Sequence, residues 1–184
     1  AISDQFPTAE MYIHPGMTDE GIALGAALMG NYKMYGHTNR LGIDNVYLGS
    51  DYDNQIASFS EEFSGKYSIE PFSEIEAEAK QVAQLIDKGQ IVGLFQGGME
   101  YGPRALGNRT ILADPRDKQV NDRLNKRLDR TEFMPFAPVI MKEHAAKVFD
   151  FEGKNIEYAC NFMTIITNVK PEWREKIPAV VHVD

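Results

Sequence analysis

The stretch QGGMEYGPRALGNRT, residues 96–110, constrains this chain most. It follows the apolar run IVGLF, which reads as a buried strand, and leads into TILAD, which reads as another. Four glycines, one proline and two arginines fall within it. A strand that runs into a glycine-rich loop with arginines is a generic anion cradle. Glycine lets backbone N–H groups approach a phosphate, and a guanidinium clamps it with a planar fork of donors. The loop is not a Walker A motif, because no Gly-Lys-Ser/Thr ends it. Nor is it a dinucleotide fingerprint, since the Gly-x-Gly-x-x-Gly spacing is not met between Gly97 and Gly107. Two readings stay open: a phosphate or nucleotide site, or a glycine-rich turn whose arginines pair with local carboxylates. In the second, Glu100 is a natural partner for Arg104.

Charge bears on that choice. The whole chain has a formal net charge of −8, which disfavours nonspecific nucleic-acid binding. Between Arg104 and Arg130, however, eight Lys and Arg stand against four Asp, while the remainder holds 11 basic and 23 acidic residues. A basic segment in an acidic chain fits a focused anion site; a solvated helix face is the plain alternative. Arg104 and Arg109, with Lys126, Arg127 and Arg130 downstream, can converge on one polyanion, as reactions of ATP require. The 184 residues, 43% of them hydrophobic, suffice for one core and part of another domain. No apolar run approaches the ~20 residues of a membrane span, and the first residues lack a signal-peptide pattern. Cys160 is the only cysteine, so no internal disulfide forms, and a zinc finger is excluded. A reducing, cytoplasmic setting with Cys160 as a packed, inert thiol is the expectation.

Along the chain, MYIHP reads as a short strand ended by Pro15, then a helix begins at Thr18 or Asp19 as N-cap and runs to Tyr35. A turn-rich connector follows, and a domain boundary is placed at residue 50. From there the pattern alternates: a short helix over 53–63, a strand in KYSIEPF, and a helix N-capped by Ser73 with Glu76 at the capping-box position and Gly89 as its end. After the loop, a helix is expected from Asp114 as N-cap with Pro115 at the first position, its arginines 123, 127 and 130 on one face. FMPFAPVIM, NFMTIITNV and AVVHV read as strands, EHAAKVF and PEWREKI as short helices.

FQGGMEYGPRALGNRTILADPR and EFMPFAP resemble the C-terminal domain of the O-carbamoyltransferases, which include the nodulation-factor, cephamycin and tobramycin carbamoylating enzymes. HPGMTDEGIALGAAL resembles the end of that family's N-terminal domain, of the actin-like ATPase (ASKHA) superfamily. The resemblance covers essentially the whole chain and implies a piece of a longer protein. It implies an α/β fold: a YrdC-like twisted mixed sheet with flanking helices over residues 51–184, truncated at its end. Residues 1–50 would be the strand-helix remnant of the actin-like domain and a connector. The implied chemistry joins carbamoyl phosphate and ATP (with Mg) into carbamoyl adenylate and pyrophosphate. The carbamoyl group then passes to a hydroxyl acceptor in the N-terminal domain, with iron or another divalent metal. No side-chain nucleophile is needed; catalysis is by positioning and charge stabilisation.

Carried over residue by residue, the resemblance implies Arg104, Arg109 and Arg130 as catalytic contacts to phosphate or carbamoyl groups. Asn108, Lys126, Arg127 and His182 would contact substrate or nucleotide, and Gly102 and Gly107 would permit close backbone approach. Asp19 matches a metal ligand, although a helix N-cap is an equally good account of it. His14 reads as structural. Two positions depart from the family: Leu128 stands where a lysine is expected, and Gly98 where many relatives carry arginine. An RNA-binding module is a competing reading, opposed by the acidic charge and the lack of a basic-aromatic patch. A nucleotide-binding regulatory domain without turnover is a third.

Overall fold

The computed structural model describes residues 5–6, 11–36, 42–130, 136–151 and 156–182. Helix α1, Asp19–Tyr35, carries Asp19 and Glu20 in its first turn and Lys33 in its last, each favourable to the helix dipole. Gly36, left-handed at φ 74°, closes it by donating its N–H to the Tyr32 carbonyl at 2.8 Å. Thr18 holds the N-cap position but makes no side-chain cap; its hydroxyl donates to the Glu20 carboxylate instead. None of the residues of α1 is buried, and Ile22, Met29 and Tyr32 are exposed. The stretch before it, residues 11–15, has no strand partner and is irregular.

A 3-10 turn, Asp53–Gln55, leads into α2, Ile56–Phe63. The KYSIEPF stretch is irregular rather than a strand. Helix α3, Ile75–Asp87, starts after Glu74 in extended conformation, so the Ser73–Glu76 capping box does not form. Gly89, at φ 76°, ends the segment as the sequence suggests. Strands β1, Val92–Phe95, and β2, Arg109–Leu112, pair antiparallel from Val92 opposite Leu112 to Phe95 opposite Arg109. The candidate loop is thus the tip of a long hairpin.

The basic helix is shorter than the sequence suggests. Helix α4 is Val120–Arg127, with Gln119 at its N-cap. Asp114 does not cap it; its carboxylate accepts the Arg116 N–H at 2.9 Å and pairs with the Arg116 guanidinium. Arg130 falls beyond the helix end, and Arg123 is paired with Asp117 at 2.9 Å, so the expected three-arginine face does not exist. Helices α5, Lys142–Val148, α6, Glu157–Cys160, and α7, Pro171–Arg174, complete the chain with a 3-10 turn at Pro178–Val180.

Among the described residues the sheet has two strands, not the larger twisted mixed sheet that was expected. In NFMTIITNV a single bridge, Phe149 to Val169, is all that pairs, and residues 136–141 and 181–182 are irregular. The EFMP part of the proline-rich stretch (residues 132–135) and the final Val183 and Asp184 lie outside the described residues. One core cluster joins Val120 and Leu124 of α4 to Ala179, with Ile91, Ala113 and Phe136 against it. It therefore ties the base of the hairpin to α4. A second joins Val148, Phe149 and Val169, with Trp173 and Ile177 packed on them. The fold is mixed α/β, and no helix among the described residues is long and apolar enough to cross a membrane.

Candidate functional site

The loop between β1 and β2 is built by its own polar groups. Gly102 and Gly107 have φ of 105° and 117°, a region that side-chain-bearing residues rarely adopt. Those two turns reverse the chain so that several backbone N–H groups face inward. Leu106, Asn108 and Arg109 donate to Glu100 Oε1 at 2.9, 2.8 and 3.0 Å. Gly107 donates to Thr110 Oγ1 at 2.8 Å. Glu100 is therefore held by backbone donors, not by Arg104. Partial burial pushes its carboxyl up, but the N–H groups of Arg109, Leu106 and Asn108 outweigh that and hold it below the usual carboxylate range.

The two loop arginines do different things. Arg109 spends its fork on four carbonyls: Gln96 at 2.6 Å, Asn108 at 3.2 Å, Gly97 at 3.0 Å and Ser50 at 3.2 Å. Its guanidinium also lies over the Phe95 ring, 3.8 Å from the centroid, because β1 and β2 place the two residues opposite each other. Arg104, half-buried, has no hydrogen bond or ion pair among the described residues. Asn108 is buried and donates from Nδ2 to the Gly98 carbonyl at 2.7 Å.

Residues far back in the chain clamp the loop. Tyr101 and Met99 donate their N–H groups to Val46 and Ser50 carbonyls at 2.6 and 3.1 Å, and Gly49 donates to Met99 at 2.9 Å. The Tyr47 hydroxyl donates to the Leu106 carbonyl at 2.8 Å. Both Asp53 carboxylate oxygens accept the Gly97 N–H. The departure at Gly98 has a steric cause here: a Cβ on it would stand 2.7 Å from the Tyr47 carbonyl oxygen. At the other side, the Tyr12 hydroxyl and His14 Nδ1 are hydrogen-bonded at 3.2 Å, His14 Nε2 donates to the Tyr101 hydroxyl at 3.1 Å, and Tyr101 donates to the Glu20 carbonyl at 3.1 Å. His14 is thereby a strut for the loop, joined on one side to Tyr12 and on the other to Tyr101.

The remaining candidates are dispersed. Lys126 and Arg127 are exposed at the end of α4, and Arg130 lies 5.5 Å from the centroid of the Phe136 ring. His182 donates from Nε2 to the Phe136 carbonyl at 3.3 Å, which brings it near Arg130 through a shared neighbour. Asp19 is exposed at the first position of α1. Among the described residues no group of three or more His, Cys, Asp or Glu could hold a metal ion, and one carboxylate is too small a set for iron. Burial and, less strongly, Glu157 push the Cys160 thiol up, as expected for an inert packed cysteine. An open groove of about 530 Å³ beside α5, lined by Val139, Met141, Phe149 and Trp173 among others, is apolar and contains no loop residue.

Sequence reasoning found the donors and named Glu100, but gave it Arg104 as partner, and it missed Asp53, Tyr47 and Tyr101. One signal was available: Glu100 is the only acid between residues 88 and 113, inside a segment rich in donors.

Comparison with known proteins places this geometry in a family. The chain is 33% identical to the uncharacterized protein MJ1058 of Methanocaldococcus jannaschii, over all of this chain and 30% of that protein. It is 35% identical to nodulation protein NolNO of Sinorhizobium fredii, over 95% of this chain and 25% of that protein. Nodulation protein U of Azorhizobium caulinodans matches 58% of the chain at 37% identity, and 18% of its own length. The chain thus spans about a third or less of the length of these relatives. Residues 83–184, which hold the hairpin, its loop and α4, match the family described as "Carbamoyltransferase C-terminus", and the chain belongs to that family.

Proposed function

We propose that this chain is the donor-activating part of an ATP-dependent O-carbamoyltransferase. It binds carbamoyl phosphate and ATP, the latter with Mg, and forms carbamoyl adenylate for transfer to a hydroxyl of a small-molecule or sugar acceptor. For the atoms to balance, carbamoyl phosphate loses its phosphoryl group to water as inorganic phosphate. The carbamate oxygen then displaces pyrophosphate from the α-phosphorus of ATP. The family membership of residues 83–184 supports carbamoyl chemistry. The observation that carries the site is Arg104, a half-buried guanidinium without a partner among the described residues, in a loop whose other arginine is committed to four carbonyls. Such a preorganised cation can stabilise charge on a phosphoryl group without reorganising.

Arg109, Asn108, Gly102 and Gly107 serve by shaping the loop. Lys126 and Arg127 at the end of α4, and separately Arg130 with His182 beside Phe136, are the cations available to the rest of the polyphosphate. Residues 1–50 are assigned to the carbamoyl-transfer part and residues 51–184 to the YrdC-like donor-activating part, in a cytoplasmic enzyme. Calorimetry with ATP, carbamoyl phosphate and a short RNA tests the binding. The expected result is binding of the first two and not the third, abolished in Arg104→Ala. In the full-length protein, pyrophosphate release should require carbamoyl phosphate. Release that ignores carbamoyl phosphate, or unchanged binding in Arg104→Ala, would reject the assignment.

A further inference from the structure

Four consecutive backbone donors of this glycine-rich loop, those of residues 106–109, are already taken by side chains of the chain itself. Three N–H groups, from Leu106, Asn108 and Arg109, converge on Glu100 Oε1, and that of Arg109 also reaches Oε2 at 3.2 Å. The intervening N–H, of Gly107, belongs to Thr110. A phosphate in this nest would have to expel a carboxylate from charge-assisted bonds and leave it half-buried without donors. Two anions cannot share the nest, since their repulsion at contact distance is large. The carboxylate is also tethered six to nine residues from its donors, so its effective concentration at them is high.

We propose that Glu100 is a positioning residue: its carboxylate is the permanent anion of the loop, sets the turn over residues 102–109, and leaves the substrate anion to Arg104. This rests on reading the loop as the site for ATP and carbamoyl phosphate. Arg104 sits between the Gly102 turn and the first of the three donors, Leu106, so its backbone position follows from how Glu100 gathers those N–H groups.

The full chain is compared as wild type, Glu100→Gln and Glu100→Ala, by residue-resolved amide hydrogen exchange and by titration with ATP and with carbamoyl phosphate well below the melting temperature. The amides of Leu106, Asn108 and Arg109 should be protected in the wild type and exchange roughly tenfold faster or more in Glu100→Ala. Affinity for both ligands should fall in Glu100→Ala by roughly tenfold. Glu100→Gln, which keeps an acceptor oxygen in place, should recover most of it; a loss of stability alone would not restore affinity in that way. Tighter binding by Glu100→Ala would show the carboxylate to be a plug that the ligand displaces, and would overturn the proposal, as would unchanged exchange at the three amides. A wild type that binds neither ligand, yet loses that protection in Glu100→Ala, would sink the reading of the site and still support Glu100 as the group that sets the loop.

Discussion

Arg104 and Arg109 carry the same group five residues apart, and their surroundings make them opposites. Removing the Arg109 guanidinium strips a donor from four carbonyls and a cation from the Phe95 ring. Arg109→Ala should therefore lower stability by roughly 1–3 kcal/mol in a denaturant titration. Arg109→Lys should recover little, because an ammonium has no fork. Arg104→Ala should change stability by no more than about 0.5 kcal/mol while removing ligand binding, the pattern of a group kept for an absent partner. Gly98→Arg, which restores the residue that many relatives are expected to carry, should not improve binding. Its Cβ meets the Tyr47 carbonyl at 2.7 Å, a backbone atom that cannot swing aside, so about 1–3 kcal/mol should be lost. Glu100 gives a pH signature. Its folded pKa lies below the ordinary 4.5, so its contribution is complete above 4.5 and disappears as the pH falls through the lower folded value. On acidification below 4.5 the wild-type melting temperature should drop more steeply than that of Glu100→Gln.

At the scale of elements, α4 and the hairpin are one unit because Leu124 and Val120 pack against Ile91 and Ala113. Leu124, 3% exposed, has no room to be replaced cheaply. Leu124→Ala should cost roughly 2–4 kcal/mol, seen in thermal or denaturant unfolding, and should also speed exchange at the hairpin amides. What was legible in the sequence divides along the same line. The helices at 56–63, 75–87 and 120–127 follow in outline from local periodicity, the one at 19–35 from the signals at its start, and the strands at 92–95 and 109–112 from short apolar runs beside the glycine-rich loop. A helix satisfies its backbone within itself, so its pattern is self-sufficient. KYSIEPF and NFMTIITNV have strand-like composition, but a strand needs a neighbour to pair with, and sequence does not name one. Caps failed for a related reason. Asp114 was taken by Arg116 and Thr18 by Glu20, each a competing side chain close in sequence. In the site, the donors of residues 96–110 and the carboxylate of Glu100 were both visible, but their pairing through the backbone N–H groups was not. An arginine is the obvious partner for a carboxylate in a sequence, whereas the turn that directs three N–H groups toward Glu100 exists only in the folded backbone.

For the molecule as a whole, net acidity coexists with a few uncommitted cations. Between residues 104 and 130, Arg116 and Arg123 are neutralised by Asp114, Asp87 and Asp117, which leaves Arg104, Arg109, Lys118, Lys126, Arg127 and Arg130 without a carboxylate partner among the described residues. Exposed charges of this kind are screened beyond ~10 Å at 0.1 M salt. Affinity for ATP should fall several-fold between about 0.05 and 0.5 M salt, and Lys126→Ala with Arg127→Ala together should flatten that dependence. Calorimetry across the salt series measures it. The clamp on the loop has a bearing on how the chain is made. Tyr101 is tied to His14, Glu20 and Val46, partners 87, 81 and 55 residues earlier. Contacts of such separation form slowly in a free chain. On the ribosome, however, every one of those partners has been synthesised before residue 96 emerges, so the loop meets a surface that is already waiting for it.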